Sequence, residues 1–215
     1  MQVLIYPWIQ FVNFRLPSFN MYTNHNASFL YGMGVDFRKL VLWYIGIYEN
    51  NPGYLECLES LGNNQAFSLI EDQELLNKYK SYLDPQKIPQ KYKSGKNYYE
   101  GYESNAYSLS KLEKTSVLLK DSNINAQVKK LFHHEISPLL ADKKYLVGLP
   151  KAYFVIFEFD ELKDEGLLYA ERLKEAKVDV KISFYENAFH GQIFFESNTT
   201  KKIQSDLIEY LKLNL

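Results

Sequence analysis

Two side chains that together can move a proton follow two strand-like segments late in the sequence. The apolar run Tyr153–Phe157 predicts a strand buried on both faces, and Asp160 comes shortly after it. The segment Val178–Phe184 alternates apolar and polar residues, which predicts a half-buried strand, and His190 follows it. A carboxylate bonded to one imidazole nitrogen fixes the tautomer and leaves the other nitrogen free as a base. Brought together, these two residues would form two-thirds of a nucleophilic triad.

The segment between the two strands predicts the crossover that brings Asp160 and His190 together. A helix from about Gly166 is indicated by apolar residues that recur every three positions: Leu167, Ala170, Leu173 and Ala176. In a right-handed crossover the two strands are parallel, so their carboxyl ends open on the same edge of the sheet. Ligand sites of open α/β sheets lie at that edge, where neighbouring strands are about 4.8 Å apart. We therefore expect the Asp160 carboxylate to reach the His190 ring.

Each candidate also has an ordinary structural interpretation. A single loop histidine such as His190 is usually exposed or satisfied by a neighbour, and Asp160 could equally cap a helix or lie in a loop. Asp164 and Glu165 are interpreted as charges at the start of a helix, where the dipole favours anions. Three further histidines have no role that the sequence identifies, and the two adjacent ones are expected to point different ways and to be structural or exposed: His25, His133 and His134.

The composition excludes several classes of function. Lys and Arg number 25 against 26 Asp and Glu, so the formal net charge is -1 and no nucleic-acid partner is expected. The longest apolar run, Leu40–Tyr48, is shorter than the roughly 20 residues of a membrane-spanning helix, and Met1–Pro7 does not resemble a signal peptide. Cys57 is the single cysteine, and no cysteine–histidine spacing typical of zinc occurs. We therefore expect no disulfide within the chain and no zinc site.

Three regions of the chain differ in pattern. Residues 1–14 begin with a strand, Val3–Tyr6, that is predicted to be buried on both faces. Residues 15–135 form a mostly helical region. Residues 136–215 continue as strand, helix, strand and helix, and the last helix is marked by the apolar residues Ile203, Leu207, Ile208 and Leu211. The predicted fold class is α/β.

The middle region is irregular and rich in aromatic residues. Aromatic side chains make up 16% of the chain, enough to build an apolar pocket as well as an ordinary core. Residues 37–48 and 68–83 are predicted to be helical, and the lysine-rich stretch 87–96 is interpreted as a solvated loop.

Five segments, in order along the chain, resemble a known family. The longest is L-V-G-L-P-K-A-Y-F-V-I-F-E-F-D-E-L-K-D-E-G-L-L-Y-A-E-R-L at Leu146–Leu173. The others are L-I-Y-P at Leu4–Pro7, K-Y-K-S-G at Lys91–Gly95, S-P-L-L-A-D at Ser137–Asp142 and Y-E-N-A-F-H-G at Tyr185–Gly191. Together they resemble the arylacetamide deacetylases and neutral cholesterol ester hydrolases, in the hormone-sensitive-lipase branch of the α/β-hydrolases.

The resemblance implies a fold, a chemistry and a location. The fold would be the C-terminal part of an α/β-hydrolase, with about three parallel strands, flanking helices and a mostly helical cap at residues 15–135. Asp160 would be the acid of a catalytic triad and His190 its base, acting on a lipophilic ester or amide without a cofactor. The family implies the endoplasmic reticulum membrane or lumen. Trp43 and Tyr44 of the cap would then face substrate or the membrane surface, unless they belong to the core.

The chain departs from the family in its nucleophile. The family carries H-G-G-G and G-D-S-A-G-G upstream of the segment that matches L-I-Y-P, but neither H-G-G nor G-x-S-x-G occurs in these 215 residues. Four other candidate nucleophiles lie outside any strand–turn–helix context: Ser18, Ser28, Cys57 and Ser137. We therefore expect the chain to match the C-terminal half of the family's domain. On this expectation it has no nucleophile, oxyanion hole or membrane anchor of its own, and no esterase activity alone.

Two hypotheses follow from this combination. In the first, the chain is an ester-hydrolase polypeptide that retains the triad acid and base and needs a serine from elsewhere. In the second, it is a non-catalytic remnant that binds a lipid or a partner through its aromatic region. Retention of both Asp160 and His190 favours the first hypothesis, and the absent serine motif favours the second. In either case the first strand would present an unpaired edge to which another chain could pair.

Overall fold

Three parallel strands form the sheet of this protein. The computed structural model describes residues 1–24, 36–93 and 116–214. Within them the strands are β1 (Gln2–Ile5), β2 (Ala152–Phe159) and β3 (Val180–Phe189), adjacent in the order β1-β2-β3. Leu4 pairs with Phe154, and Phe154 pairs in turn with Ile182. The predicted α/β class with three parallel strands is confirmed.

The described α-helices number nine, of which seven lie in sequence between β1 and β2. They are α1 (Pro17–Asn24), α2 (Phe37–Tyr44), α3 (Tyr54–Gly62), α4 (Gln73–Tyr82), α5 (Val117–Lys120), α6 (Ser122–Lys130), α7 (Lys143–Leu146), α8 (Lys163–Glu175) and α9 (Asn198–Asn214). Short 3₁₀ segments lie at Gln65–Leu69, Pro85–Lys87, Gln90–Tyr92, Pro138–Leu140 and Gln192–Phe194. In the part of the chain that the structure describes, no helix is long and apolar enough to cross a membrane.

The central strand β2 is covered on both faces, as its continuous apolar run predicts. Phe154 lies in the hydrophobic cluster that contains Leu167 of α8. Its neighbour Tyr153 points the other way, into the cluster that contains Ile203 of α9. The strand extends beyond the predicted Tyr153–Phe157 at both ends. Its far end therefore stops at the residue before Asp160.

Helix α8 crosses over from β2 to β3 and packs closely on the sheet. It begins at Lys163, three residues before the predicted start at Gly166, and its predicted apolar positions are buried: Leu167, Ala170, Leu173 and the C-cap Ala176. A Cβ added at Gly166 would lie 2.7 Å from Ile156 Cδ1, closer than non-bonded carbon atoms approach one another. Glycine at this position thus lets the first turn of α8 lie against β2.

The third strand is longer than its alternation predicts. Alternation predicts Val178–Phe184, whereas β3 spans Val180–Phe189, with a register irregularity where Phe159 of β2 pairs with Phe189. The extension carries the chain to the residue before His190. Both candidate site residues therefore follow directly on a strand end, at the same edge of the sheet.

Helix α9 covers the second face of the sheet. Tyr210 stacks on Tyr153 of β2 with ring centroids 4.2 Å apart, and Ile203 is buried beside them. Ile208, predicted to belong to the apolar face, is 51% exposed, so this part of the prediction is wrong. Tyr210, which the aliphatic pattern does not include, is buried at this interface.

The first strand lies at an edge of the sheet. Its residues are half-buried rather than buried on both faces as predicted, because β2 is its one neighbour among the described residues. The amide of Gln2 donates to the carbonyl of Lys151, just before β2, and the amide of Tyr6 donates to the carbonyl of Val155 within β2, both at 2.9 Å. Since amide groups alternate between the two sides of a strand, those of Val3 and Ile5 point away from β2.

The helices of the middle region are shorter than predicted. Helix α2 ends at Tyr44 rather than at residue 48, and Gly46 follows with a φ of +81° that a helix cannot continue. The predicted helix 68–83 is divided into a 3₁₀ segment and α4. The break falls before Asp72, whose carboxylate caps α4 by accepting from the amide groups of Glu74 and Leu75.

The lysine-rich stretch is only partly the predicted solvated loop. It contains two 3₁₀ turns, and Ile88 and Tyr92 are buried while Lys87 and Lys91 are exposed. The apolar residues anchor the stretch to the core and the lysines stay in water. Lys96, at its predicted end, lies outside the described residues.

Candidate active site

Asp160 and His190 are in direct contact. His190 Nδ1 lies 3.1 Å from Asp160 Oδ1 and 3.2 Å from Oδ2. Asp160 follows β2 and is 1% exposed, while His190 follows β3 and is partly open to solvent. With Asp160 ionised, Nδ1 donates to the carboxylate, which leaves Nε2 as the free ring nitrogen. The sequence prediction that the crossover joins these two side chains agrees with this geometry.

The loop between β2 and α8 fixes the Asp160 carboxylate. Oδ1 accepts a hydrogen bond from the backbone amide of Leu162 at 2.8 Å, so Asp160 also serves the loop as a cap-like acceptor. On either side of the loop, Lys163 Nζ and Glu158 Oε1 form an ion pair at 3.2 Å, with the lysine side chain fully buried. The hydrogen bond from the Leu162 amide therefore holds the carboxylate, and the buried ion pair joins the two ends of its loop.

The surroundings of His190 favour its charged form. Burial lowers the pKa of His190, but the hydrogen bond to Asp160 and the charges of Asp160 and Glu161 outweigh burial, so the pKa lies above its ordinary value of 6.5. Because folding raises this pKa, the pair contributes its full stabilisation below pH 6.5. That stabilisation is lost as the pH rises through the raised pKa. A base with a raised pKa accepts a proton more readily.

Tyr6, which the sequence analysis did not single out, lies against the His190 ring. The two ring centroids are 4.4 Å apart, and Tyr6 also contacts Phe157 of β2 at 5.2 Å. Phe37 of α2 approaches the imidazole edge-on at 6.4 Å. A signal for Tyr6 was available, because it follows β1 and must open on the same sheet edge as the other two strand ends.

Asp164 and Glu165 are charges at the start of a helix, as the sequence predicts. Both lie in the first turn of α8, but both are buried. Glu165 accepts from the amide of Ile9 at 2.6 Å and from the side chain of Gln10 at 2.8 Å, and Asp164 accepts from the amide of Ser18 at 2.8 Å. Burial outweighs these donors and raises the pKa of Glu165 to about 8. The two carboxyl groups attach the segment after β1 to α8.

The other candidate nucleophiles are unsuited to attack. The hydroxyl groups of Ser18 and Ser137 are buried and donate to the backbone carbonyls of Glu161 and Leu131. Cys57 is fully buried, and burial raises the pKa of its thiol to about 12, so the reactive thiolate is disfavoured. Two remaining candidates lie outside the described residues: Ser28 and His25.

The adjacent histidines do not point in different directions as predicted. The rings of His133 and His134 lie 4.4 Å apart, and His134 stacks on Tyr145 at 4.0 Å. They follow α6 in a turn rather than within a helix, and the turn brings their rings together. His133 is exposed, in agreement with a structural or exposed role.

Among the described residues, three neighbouring side chains could together hold a cation. Asp160, Glu161 and His190 each offer a ligand atom, and these atoms lie within 4.8 Å of one another. However, the Asp160 oxygens already accept from Leu162 and His190. Because Asp160 already has these donors, the geometry suits proton transfer between a carboxylate–imidazole pair and a third group better than it suits a cation.

The chain resembles known proteins in sequence. A family model described as the α/β-hydrolase fold matches residues 89–194. Neutral cholesterol ester hydrolase 1 from Rattus norvegicus is 27% identical over 199 residues, which cover 92% of this chain and 42% of that protein. Arylacetamide deacetylase-like 4 from Homo sapiens is 30% identical over 227 residues, which cover 98% of this chain and 46% of that protein. The chain thus spans less than half the length of these relatives.

A solved structure is similar as well. A thermostable esterase from Pseudomonas putida is 27% identical, and the match covers 40% of this chain and 30% of that chain. The TM-score is 0.35, which is too low for the likeness in coordinates to add to the sequence matches.

Proposed function

We propose that the chain bears the acid and base of a serine carboxylic-ester hydrolase of the α/β-hydrolase fold. The proposal is supported by the family match and by the similarity in sequence to a neutral cholesterol ester hydrolase and an arylacetamide deacetylase-like protein. The observation that carries the proposal is the contact between Asp160 and His190 at the carboxyl ends of adjacent parallel strands. The names of the relatives point to lipophilic esters or arylacetamides as the substrate class.

His190 and Asp160 have separate roles in this proposal. His190 Nε2 takes the proton of a serine hydroxyl as that oxygen attacks the ester carbonyl, and then returns the proton to the leaving alcohol. Water repeats the cycle on the acyl-serine. Asp160 keeps the proton-bearing Nδ1 turned toward itself and stabilises the imidazolium. The serine and the oxyanion donors come from outside these residues, because the chain contains neither G-x-S-x-G nor H-G-G.

Exposed phenylalanines next to both residues support an apolar substrate. Phe159 precedes Asp160 and is 46% exposed, and Phe194, four residues after His190, is 80% exposed. Phe195 packs on Phe189 at the end of β3. Exposed phenylalanines this near the pair in the sequence would suit the acyl or aryl part of such a substrate.

The experiment that tests the proposal is to sequence the transcript upstream of Met1. We expect an in-frame H-G-G-G motif followed by a G-x-S-x-G motif. A stop codon shortly before Met1, with no such motifs, would contradict the proposal and favour a non-catalytic protein.

A second candidate function is binding to a lipid surface, at an endoplasmic-reticulum-type membrane. It is favoured by the exposed aromatic side chains that end α2 and follow it: Trp43 at 42%, Tyr44 at 68% and Tyr48 at 54%. Tryptophan and tyrosine favour the interface between headgroups and acyl chains. Because the net charge of the chain is near zero, we expect this binding not to depend on anionic lipid.

We expect the purified chain to float with phosphatidylcholine vesicles in a density gradient. Replacing both Trp43 and Tyr44 by serine should weaken this association by about tenfold or more. The matched control is Leu55→Ser on α3, which removes a side chain that is 75% exposed but lies on another helix. If the double variant floats as well as the control, the α2 surface does not bind lipid.

Among the described residues β1 has no neighbour on its outer edge, which favours a protein partner. The outward amide groups of Val3 and Ile5 can pair with a strand of another chain, and in the purified protein the available strand is β1 of a second copy. We expect light scattering to detect a dimer that Val3→Pro abolishes, because proline removes an outward donor and leaves the bonds to β2 in place. Val3→Ala should remain a dimer. A wild-type chain that is monomeric at every concentration contradicts this pairing.

A further inference from the structure

Tyr6 has a backbone conformation that tyrosine rarely adopts. Its φ is +36°, in the left-handed region that favours glycine and asparagine. Two contacts hold it there. Its amide donates to the Val155 carbonyl of β2 at 2.9 Å, and the next residue, Pro7, packs beside Gly166 at the start of α8. Strain of this kind persists only where the surroundings impose it, and it concentrates at functional sites.

The strained conformation places the Tyr6 ring against His190. Both short contacts between the imidazole and Asp160 involve Nδ1. Rotation about the side-chain bonds of His190 would carry Nδ1 away from the carboxylate. The tyrosine ring at 4.4 Å covers one face of the imidazole, and Phe37 stands edge-on at 6.4 Å. The aromatic contacts therefore oppose rotation of the ring away from Asp160.

We propose that Tyr6 is a positioning residue that holds the His190 ring so that Nδ1 stays on Asp160 and Nε2 faces the reacting hydroxyl. The role of Nε2 rests on the proposed function, whereas the ordering of the ring does not. The ring of Tyr6 carries the effect rather than its hydroxyl, because the contact with His190 is between the two rings. Phenylalanine at this position should therefore act as tyrosine does.

The test is nuclear magnetic resonance of the chain labelled with ¹⁵N-histidine, with the His190 signals identified in His190→Gln. In the wild type we expect the Nδ1–H tautomer and a pKa above 6.5. The charged and titratable side chains that act on His190 are Asp160 and Glu161, and Asp160 also acts on Tyr6. Tyr6→Phe should keep the tautomer, and Tyr6→Ala should increase the Nε2–H form by about fivefold or more.

Two further variants separate positioning from general loss of stability. Tyr6→Asn removes the ring, but asparagine tolerates the positive φ, so this variant should fold. It should still increase the Nε2–H form of His190. Tyr79→Ala removes a half-buried ring that stacks on Phe132, and it should lower stability without changing the His190 signals. An unchanged His190 tautomer in both Tyr6→Ala and Tyr6→Asn overturns the proposal. An ordered tautomer in the wild type, together with no serine motif upstream, would overturn the proposed function alone.

Discussion

The purified 215-residue chain is expected to remain unlabelled by a fluorophosphonate probe and to hydrolyse p-nitrophenyl esters no faster than buffer. Asp160 and His190 are in contact, but a base accelerates acyl transfer only when it activates a nucleophile. Loss of a triad nucleophile costs about 10⁴ to 10⁶ in rate, and what remains in such enzymes comes largely from an oxyanion hole. The chain contains the motif for neither.

A known serine esterase labelled in the same mixture is the positive control for the probe. The complementary experiment uses the polypeptide encoded by the longer reading frame, if that frame contains the serine motif. This protein should be labelled, and His190→Gln should lower its ester hydrolysis by about 10⁴. Labelling of the 215-residue chain that disappears in His190→Gln would mean that it has a nucleophile of its own, and mass spectrometry of the labelled peptide would locate it.

The largest loss of stability is expected from Lys163→Met. Its ammonium group is fully buried and paired with Glu158, which is itself buried. Removing one partner of such a pair leaves the other charge uncompensated, so the free energy of unfolding should fall by about 3 kcal/mol. Because the two residues flank the loop of Asp160, the His190 signals should broaden in the same variant. Urea denaturation measures the first effect, and nuclear magnetic resonance measures the second.

An exposed ion pair on the same helix provides the matched control. Lys174 and Glu171 of α8 lie 2.6 Å apart with both side chains partly exposed, and Lys174→Met should cost no more than about 0.5 kcal/mol. Adding Glu158→Gln to Lys163→Met should restore part of the lost stability, since no buried charge is then left alone. Equal losses for the two single lysine variants would show that the Lys163 pair does not stabilise the fold.

The sequence predicts the crossover and its two polar residues because both depend on local pattern. The apolar run of β2 lies within one strand, and the three-residue spacing of α8 lies along one helix and its C-cap. Each pattern can therefore be recognised from consecutive residues. Once these elements are assigned, chain geometry alone places Asp160 and His190 at one edge. The end of β3 was missed because its last residues, Tyr185–Phe189, do not alternate, and their pairing depends on the irregularity in β2.

The remaining features depend on contacts between distant parts of the chain. The sequence marks Asp164 and Glu165 as charges at the start of a helix, but their burial depends on the segment after β1, which supplies its amide groups. The role of Tyr6 depends on a positive φ that no residue pattern encodes. The cap-like boundaries at 15–135 remain a prediction, as do the catalytic roles of Asp160 and His190.

The position of β1 in the sheet has a consequence for the order in which the chain folds. β2, α8 and β3 are consecutive in sequence, whereas Leu4 of β1 pairs with Phe154, 150 residues away. Closing so long a loop costs more conformational entropy than closing the short crossover, so nucleation should occur in the crossover and β1 should dock late. Pulsed hydrogen exchange should then protect the β3 amides before those of β1. His190 would then contact Asp160 while Tyr6 still belongs to an N-terminal segment that has not yet folded.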